Sequence, residues 1–353
     1  MPWRTTTFAR TLVPLALLIA TPAAWGFHEK GVANCSACHT THDSRDGVPV
    51  GGSITSDWGP LKSSPTDLCL SCHGGRQEGV YGMVMGVNPL VPPPEMGGGN
   101  FIFLLEDNLN DAPDGATDPI FGDAAGHNLV APERGLDADP RYSFSPGGSF
   151  PSQQMGCTSC HDPHGNDSFR MLNGVGPVQE GGFVFAEPAP EAEGISLGPG
   201  GMAKGDHSAY RRGVSRWCGN CHGTYHEDGL AGFEHPGEAL FGGAEQTQYE
   251  IYDGDDNPTG GLASSSYISQ VPFEDPLMEV DSRFGPSASS RVMCLSCHRA
   301  HASSAPAAGR WDFNVAALED DGVVSGSYAI PSPYRGPGQG TLCRKCHETG
   351  SGD

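Results

Sequence analysis

Hydrophobic and polar positions follow no lasting period along most of this 353-residue chain. One apolar run stands out, Thr11 to Ala20 (TLVPLALLIA). Beyond it there is no heptad, no alternating strand ladder and no run of helix formers longer than a turn or two. The elements to expect are therefore coil, tight turns and short helices, with little β. Four stretches read as loops: Val91-Pro92-Pro93-Pro94 to Gly99, Asp107 to Asp118, Pro188 to Gly201 and Ala244 to Ser266. Connections of that length argue against a compact domain built from its own side chains.

Composition sharpens the conflict. The chain holds 51 glycines and 30 prolines, close to the range where composition alone indicates disorder, and only 18% of its residues are charged. The cysteines resolve it. All 12 fall in six copies of one pentapeptide, CxxCH: Cys35 and Cys38 before His39, Cys69 and Cys72 before His73, Cys157 and Cys160 before His161, Cys218 and Cys221 before His222, Cys294 and Cys297 before His298, and Cys343 and Cys346 before His347. CxxCH is the attachment signature of c-type haem. Two thiols on one side of a short helical turn bond the haem vinyl groups, and the following imidazole becomes the proximal iron ligand. A disulfide or a zinc site would use CxxC without requiring the histidine that follows in every copy. Six covalent c-type haems are thus the expected cofactors. As large, flat, apolar bodies they serve as the core, and the polypeptide wraps them as a multihaem cytochrome.

The motifs start at residues 35, 69, 157, 218, 294 and 343, with no fixed period, so a solenoid is not indicated. Residues 1–26 read as a secretory signal peptide. Arg4 and Arg10 supply the positive region, Thr11 to Ala20 the apolar one, and Ala24-Trp25-Gly26 the small-x-small cleavage site. The apolar run is too short to span a bilayer and is broken by Pro14. Residues 27–353 are expected to form a single exported hexahaem domain with no membrane span, extracellular or at the cell surface, or else periplasmic.

Formal charge is −22 for the chain. Nucleic acid and anionic membranes both require the opposite sign, so neither is an expected partner. Asp253-Gly254-Asp255-Asp256-Asn257 resembles the start of a calcium loop, but the later Gly and Glu are missing, and a solvated acidic loop is the better reading.

Of 14 histidines, eight lie outside the motifs: His28, His42, His127, His164, His207, His226, His235 and His301. Their spacing is not random. His42, His164 and His301 each fall three residues after a proximal histidine, and His226 falls four after His222. Trans ligands approach an iron from opposite faces, so the two histidines of a CHxxH segment serve different haems and hold two irons a short peptide apart. Eight candidates for six distal positions allow every haem to be bis-His, with no open coordination site.

These residues resemble a known family, the filament-forming hexahaem cytochromes of metal-reducing bacteria, the OmcS-type extracellular cytochrome nanowires. The likeness runs through Phe27-His28, Gly31-Val32-Ala33 and Cys35 to His42, then Gly126-His127-Asn128, Cys157 to Gly165 (CTSCHDPHG), Trp217 to His226, His235-Pro236, Cys294 to Ser303 (CLSCHRAHAS) and Cys343 to His347. The resemblance implies a polymer in which His42 leaves its own subunit and ligates the neighbour's fifth haem, the one on Cys294, Cys297 and His298. Such a head-to-tail contact does not close and generates a filament. It further implies that the other distal ligands come from His28, His127, His164, His226, His235 and His301, six names for five irons. Segments between the motifs are shorter than in that family. His207 has no counterpart there; it is either a replacement ligand or, the better reading, a solvent-exposed loop residue.

The expected function is extracellular electron transfer along a continuous bis-His haem chain. Electron partners would be other cytochromes or extracellular metal oxides. A discrete monomeric shuttle shares every motif and differs only in where His42 binds. A multihaem reductase would need an exchangeable site, which the histidine supply argues against, so the chain is not expected to be an enzyme.

Overall fold

The computed structural model describes residue 1 and residues 38–40, 44–45, 48–49, 61–74, 97–105, 124–178, 182–194, 207–223, 235–252, 261–277, 284–320 and 340–348. Cys35, His28, His42, His226, the remainder of the signal segment and Asp253 to Asn257 lie outside these residues. Coil and turns dominate. Three small antiparallel ladders pair β1 (Ser44–Arg45) with β2 (Val48–Pro49), β3 (Gly176–Pro177) with β4 (Val184–Phe185), and β5 (Glu191–Gly194) with β6 (Ser208–Arg212). Five helices are described: α1 (Pro65–His73), α2 (Cys157–Cys160), α3 (Val214–His222), α4 (Gly243–Ile251) and α5 (Cys294–Cys297). Among the described residues, no helix is long and apolar enough to cross a membrane.

Local chemistry explains where the longer helices begin. Ser64 caps α1, its hydroxyl accepting from the Asp67 N–H at 3.2 Å, and Pro65 occupies the first helical position, where no N–H is needed. The chain leaves α1 at Gly74, whose N–H returns to the Leu70 carbonyl at 2.9 Å. Helix α3 starts differently. Gly213, at φ 89°, makes a left-handed entry and has no side chain to cap with. The cap comes from elsewhere in the chain, as the buried Glu274 carboxylate accepts from the Val214 N–H. The β5–β6 ladder is part of the little β expected, though no alternating pattern announced it. Ser208, Ala209 and Tyr210 are all buried in succession, so the two-residue alternation that marks a half-buried strand is absent from the sequence.

Side chains also build an interior of their own. Among the described residues four apolar clusters form, and each touches motif cysteines. The first gathers Leu70, Phe101, Ile102, Phe103, Leu129 and Leu136, with Cys157 against it. The largest is aromatic: Phe241, Tyr249, Tyr252, Tyr267, Phe273 and Trp311 pack with Cys297, Cys343 and Cys346 at its margin. Two smaller clusters adjoin Cys221 (Phe150, Val178, Phe185) and Cys218 (Tyr210, Val214, Met293). Phe273 is the hub of the aromatic cluster, meeting Phe241, Tyr249 and Tyr267 edge-on at 5.4 to 5.6 Å. Its replacement by Ala is expected to cost about 3–5 kcal/mol, read as a lower denaturant midpoint with the haem count unchanged.

His207 corrects an expectation. It is fully buried rather than exposed, and its ring lies 4.6 Å from that of Tyr267. The polar Gly-Asp-His sequence concealed this, because burial here follows from β6 feeding directly into the aromatic cluster through Ala209.

Candidate haem-iron sites

The motif-bearing segments come in packed pairs. Helix α1, carrying Cys69 to His73, lies on α2, carrying Cys157 and Cys160; α3, carrying Cys218 to His222, lies on α5, carrying Cys294 and Cys297. The two pairs are built alike. The second residue of the longer helix, Thr66 or Ser215, accepts from the backbone N–H of the first cysteine of the shorter one: Cys157 at 3.3 Å, Cys294 at 3.1 Å. In both, the serine before the second cysteine closes the turn, Ser159 on the Gly156 N–H and Ser296 on the Met293 N–H. The facing thiols, Cys69 with Cys157 and Cys218 with Cys294, approach within hydrogen-bond reach. The described cysteines are free of disulfides.

The likeness extends beyond the cysteines. His161 donates through Nδ1 to the Arg170 carbonyl and His298 to the Ala307 carbonyl, both at 2.9 Å and both nine residues on. Each acceptor sits in a 3-10 turn whose last two residues are left-handed, Arg170 and Met171 in one case, Ala307 and Ala308 in the other. His222 and His127 are held the same way, Nδ1 donating to the Pro146 carbonyl at 2.8 Å and to the Ala300 carbonyl at 2.7 Å. Occupying Nδ1 sets the tautomer and leaves Nε2 as the lone-pair nitrogen, the form a metal requires.

Opposed rings complete the geometry. His161 faces His301 with centroids 6.3 Å apart and planes at 63°, and His127 faces His222 at 5.9 Å and 49°. A metal-bound imidazole nitrogen lies about 2.0–2.1 Å from the ion, so two rings sharing one ion from opposite sides have centroids on the order of 6 Å apart. The residues thus fit a bis-imidazole haem iron at both places. Among the described residues, no three of His, Cys, Asp and Glu gather closely enough to hold a bare metal ion. Desolvation, reinforced by the neighbouring imidazoles, pushes His127 down to about 4 and His301 down to about 3, so both rings are neutral donors at ordinary pH. Desolvation likewise lowers His161 and His298.

Backbone contacts place the His301 and His127 rings. Residues 301–303 run between two other segments: His301 N–H to Gly98 O at 2.6 Å and Asn100 N–H to Ala302 O at 2.8 Å on one side, His127 N–H to His301 O at 2.9 Å and Ser303 N–H to Ala125 O at 3.0 Å on the other. The approach is close enough to demand glycine at 126, where a Cβ would stand 2.2 Å from the His301 oxygen. Phe101 stacks on the His301 ring at 4.4 Å.

Other candidates are arranged differently. His235 is half-buried and near enough to His298 to disfavour its protonation. His164 is exposed, its side chain 68% accessible and 3.5 Å from the Asp162 carboxylate. His347 is exposed at the last described turn, while His39 and His73 are half-buried. Sequence reasoning missed the supporting residues Thr66, Ser215 and Glu274, since none has a motif of its own. The shared CxSCHxxH form of the third and fifth motifs was the available signal for the repeat.

Comparison with known proteins identifies the family. A sequence profile described as a doubled CXXCH motif matches residues 150–181. The C-type cytochrome OmcS of Geobacter sulfurreducens is 30% identical, the alignment covering 94% of this chain and 96% of that protein. Two solved structures, the outer membrane cytochrome S filament and the OmcS nanowires of Geobacter sulfurreducens, match with TM-scores of 0.69 and 0.71 at 26% and 27% identity, each covering 91% of this chain and 99% of the other. The chain, a multihaem c-type cytochrome, belongs to the OmcS family.

Proposed function

We propose that this chain is an extracellular electron conduit, carrying six c-type haems and polymerising head to tail into a filament. The observation that carries the reading is His301 opposite His161. His301 is the second histidine of the fifth motif, and it faces the proximal histidine of the third. A CHxxH histidine therefore serves the motif two places earlier. Applied to the third motif, the same step assigns His164 to the haem of His39. Applied to the first, it carries His42 two places back, beyond the start of its own subunit, to the fifth haem of the preceding one, on Cys294, Cys297 and His298. The contact is heterologous and does not close, the geometry of a filament. The solved relatives described as filament and nanowires support it.

His127 is assigned to the haem of His222 on the same geometry. His28, His226 and His235 remain for the haems of His73 and His347, which leaves one surplus. Bound haem iron supplies a one-electron couple. Cysteines of the third to sixth motifs lie against apolar clusters, the Nδ1–carbonyl bonds orient the ligating rings, and two imidazoles per iron would leave no place for a substrate, so the protein transfers electrons and is not an enzyme. Residues 1–26 direct export, and residues 27–353 form the single hexahaem domain. External electron partners are other cytochromes or metal oxides.

Electron cryo-microscopy of the secreted protein, with its mass measured, tests the reading. The expected result is a mass of six haems and a filament with the neighbour's His42 at the fifth iron. Discrete particles in which that position is filled from the same chain would support a monomeric shuttle instead. An iron bearing water would point to a reductase.

A further inference from the structure

We infer that the Tyr267 hydroxyl and the Trp311 indole N–H are the hydrogen-bond donors to a haem propionate, carried by the fifth or the sixth haem. The inference rests on the haem reading above. Both side chains are buried in the aromatic cluster, and among the described residues neither donor atom meets an acceptor. Their neighbours show the contrast. The Tyr249 hydroxyl donates to the Val271 carbonyl at 2.8 Å and that of Tyr252 to the Gly340 carbonyl, while Trp217, on the helix of the fourth motif, donates to the Asn173 carbonyl at 2.7 Å. A buried donor costs free energy unless it is bonded, so two of them in one cluster mark a place for an acceptor that the polypeptide does not supply.

The surroundings say which acceptor. Cys297, Cys343 and Cys346 lie at the margin of this cluster, so the fifth and sixth haems border it. Trp311 meets Phe313 edge-on at 5.3 Å, and Phe313 meets the His298 ring edge-on at 5.4 Å. Tyr267 is within electrostatic reach of the buried Arg310 guanidinium, which donates to the Leu295 carbonyl of the fifth motif and, at 3.2 Å, to the Ser269 carbonyl. That positive charge favours an anionic acceptor. Burial pushes the Tyr267 phenol well above its usual range, so it remains a donor. Asp312, the buried carboxylate next along the chain, turns Oδ1 to the Asn314 backbone and side-chain N–H groups at 2.9 and 3.0 Å and serves neither donor. A haem brings carboxylates of its own, its propionates. Reduction adds one electron to the iron and lowers its charge by one, which a bare carboxylate nearby opposes. Donors that take up part of the carboxylate charge keep that haem easier to reduce and fix the propionate in place. Tyr267 and Trp311 are thus positioning residues that touch the cofactor away from its iron.

Potentiometric titration of the six-haem protein with dithionite, comparing wild type with Tyr267→Phe and Trp311→Phe, tests the inference. Each substitution keeps an aromatic ring and removes the donor. The expected result is that the same single step falls in both variants, by about threefold in its oxidised-to-reduced ratio, ~28 mV for a one-electron couple. His298→Met and His347→Met displace the steps of the fifth and sixth haems, because the axial ligand sets the potential, and so tell the two sources apart. A moved step that belongs to neither haem overturns the inference. Unmoved steps with lower thermal stability overturn it too, since donors that merely meet a buried water would behave that way. Should both variants fail to load six haems, the wild-type cryo-microscopy density decides. A propionate oxygen about 3 Å from both donor atoms upholds the inference, and water alone at that place sinks it. Haem mass is measured on the same samples. A wild type lacking haems would remove the underlying reading, whereas six loaded haems with unmoved steps remove the propionate assignment alone.

Discussion

A His42→Ala variant is expected to load all six haems and to remain as discrete particles under conditions where the wild type forms filaments. The substitution removes one coordinate bond from every junction, and in a head-to-tail polymer all junctions are identical. An assembly constant lower by more than a hundredfold, about 2.8 kcal/mol, is the expected size. Electron microscopy reads the loss of filaments, and the absorption spectrum reads one haem with a missing distal ligand. His164→Ala is the informative control. By the same two-motif step it opens the first haem within the subunit, so it should show the same spectral change while filaments persist. Filaments in the His42 variant would remove the basis for the intersubunit bond.

The second large effect is expected for His301→Ala. The His161 iron would lose its ring opposite at 6.3 Å, and about one haem in six would turn high-spin and bind added ligand. Added imidazole should restore the low-spin spectrum, which a mere loss of packing against Phe101 would not permit. All six haems remaining low-spin would show that the facing rings do not share an iron. His127→Ala should act in the same manner on the haem of His222, through the 5.9 Å pair.

Much of the chemistry was legible along the chain because covalent haem attachment is local. Two thiols and a ligand must fall within five residues, so Cys157 to His161 or Cys294 to His298 declares itself without help from the rest of the fold. The predominance of coil was legible too, since 51 glycines and 30 prolines leave few uninterrupted helical or strand patterns. The burial of His207, the β5–β6 ladder and the aromatic cluster around Phe273 were not, because each depends on residues distant in sequence meeting without a periodic signature.

The sequence by itself determined that the protein binds c-type haem through CxxCH motifs and has enough histidines for bis-His ligation. Only the tertiary structure decided which rings oppose each other. His301 is brought beside His161 by contacts with residues 98–100 and 125–127 that no spacing rule encodes. The duplicated pairing of α1 with α2 and α3 with α5 was hidden for the same reason: the intervening segments differ in length, so the repeat has no period in the chain. The burial of Lys345 was decided there as well, because a lysine in a CxxC loop is buried only when the carbonyls at the end of α4 are brought to its ammonium.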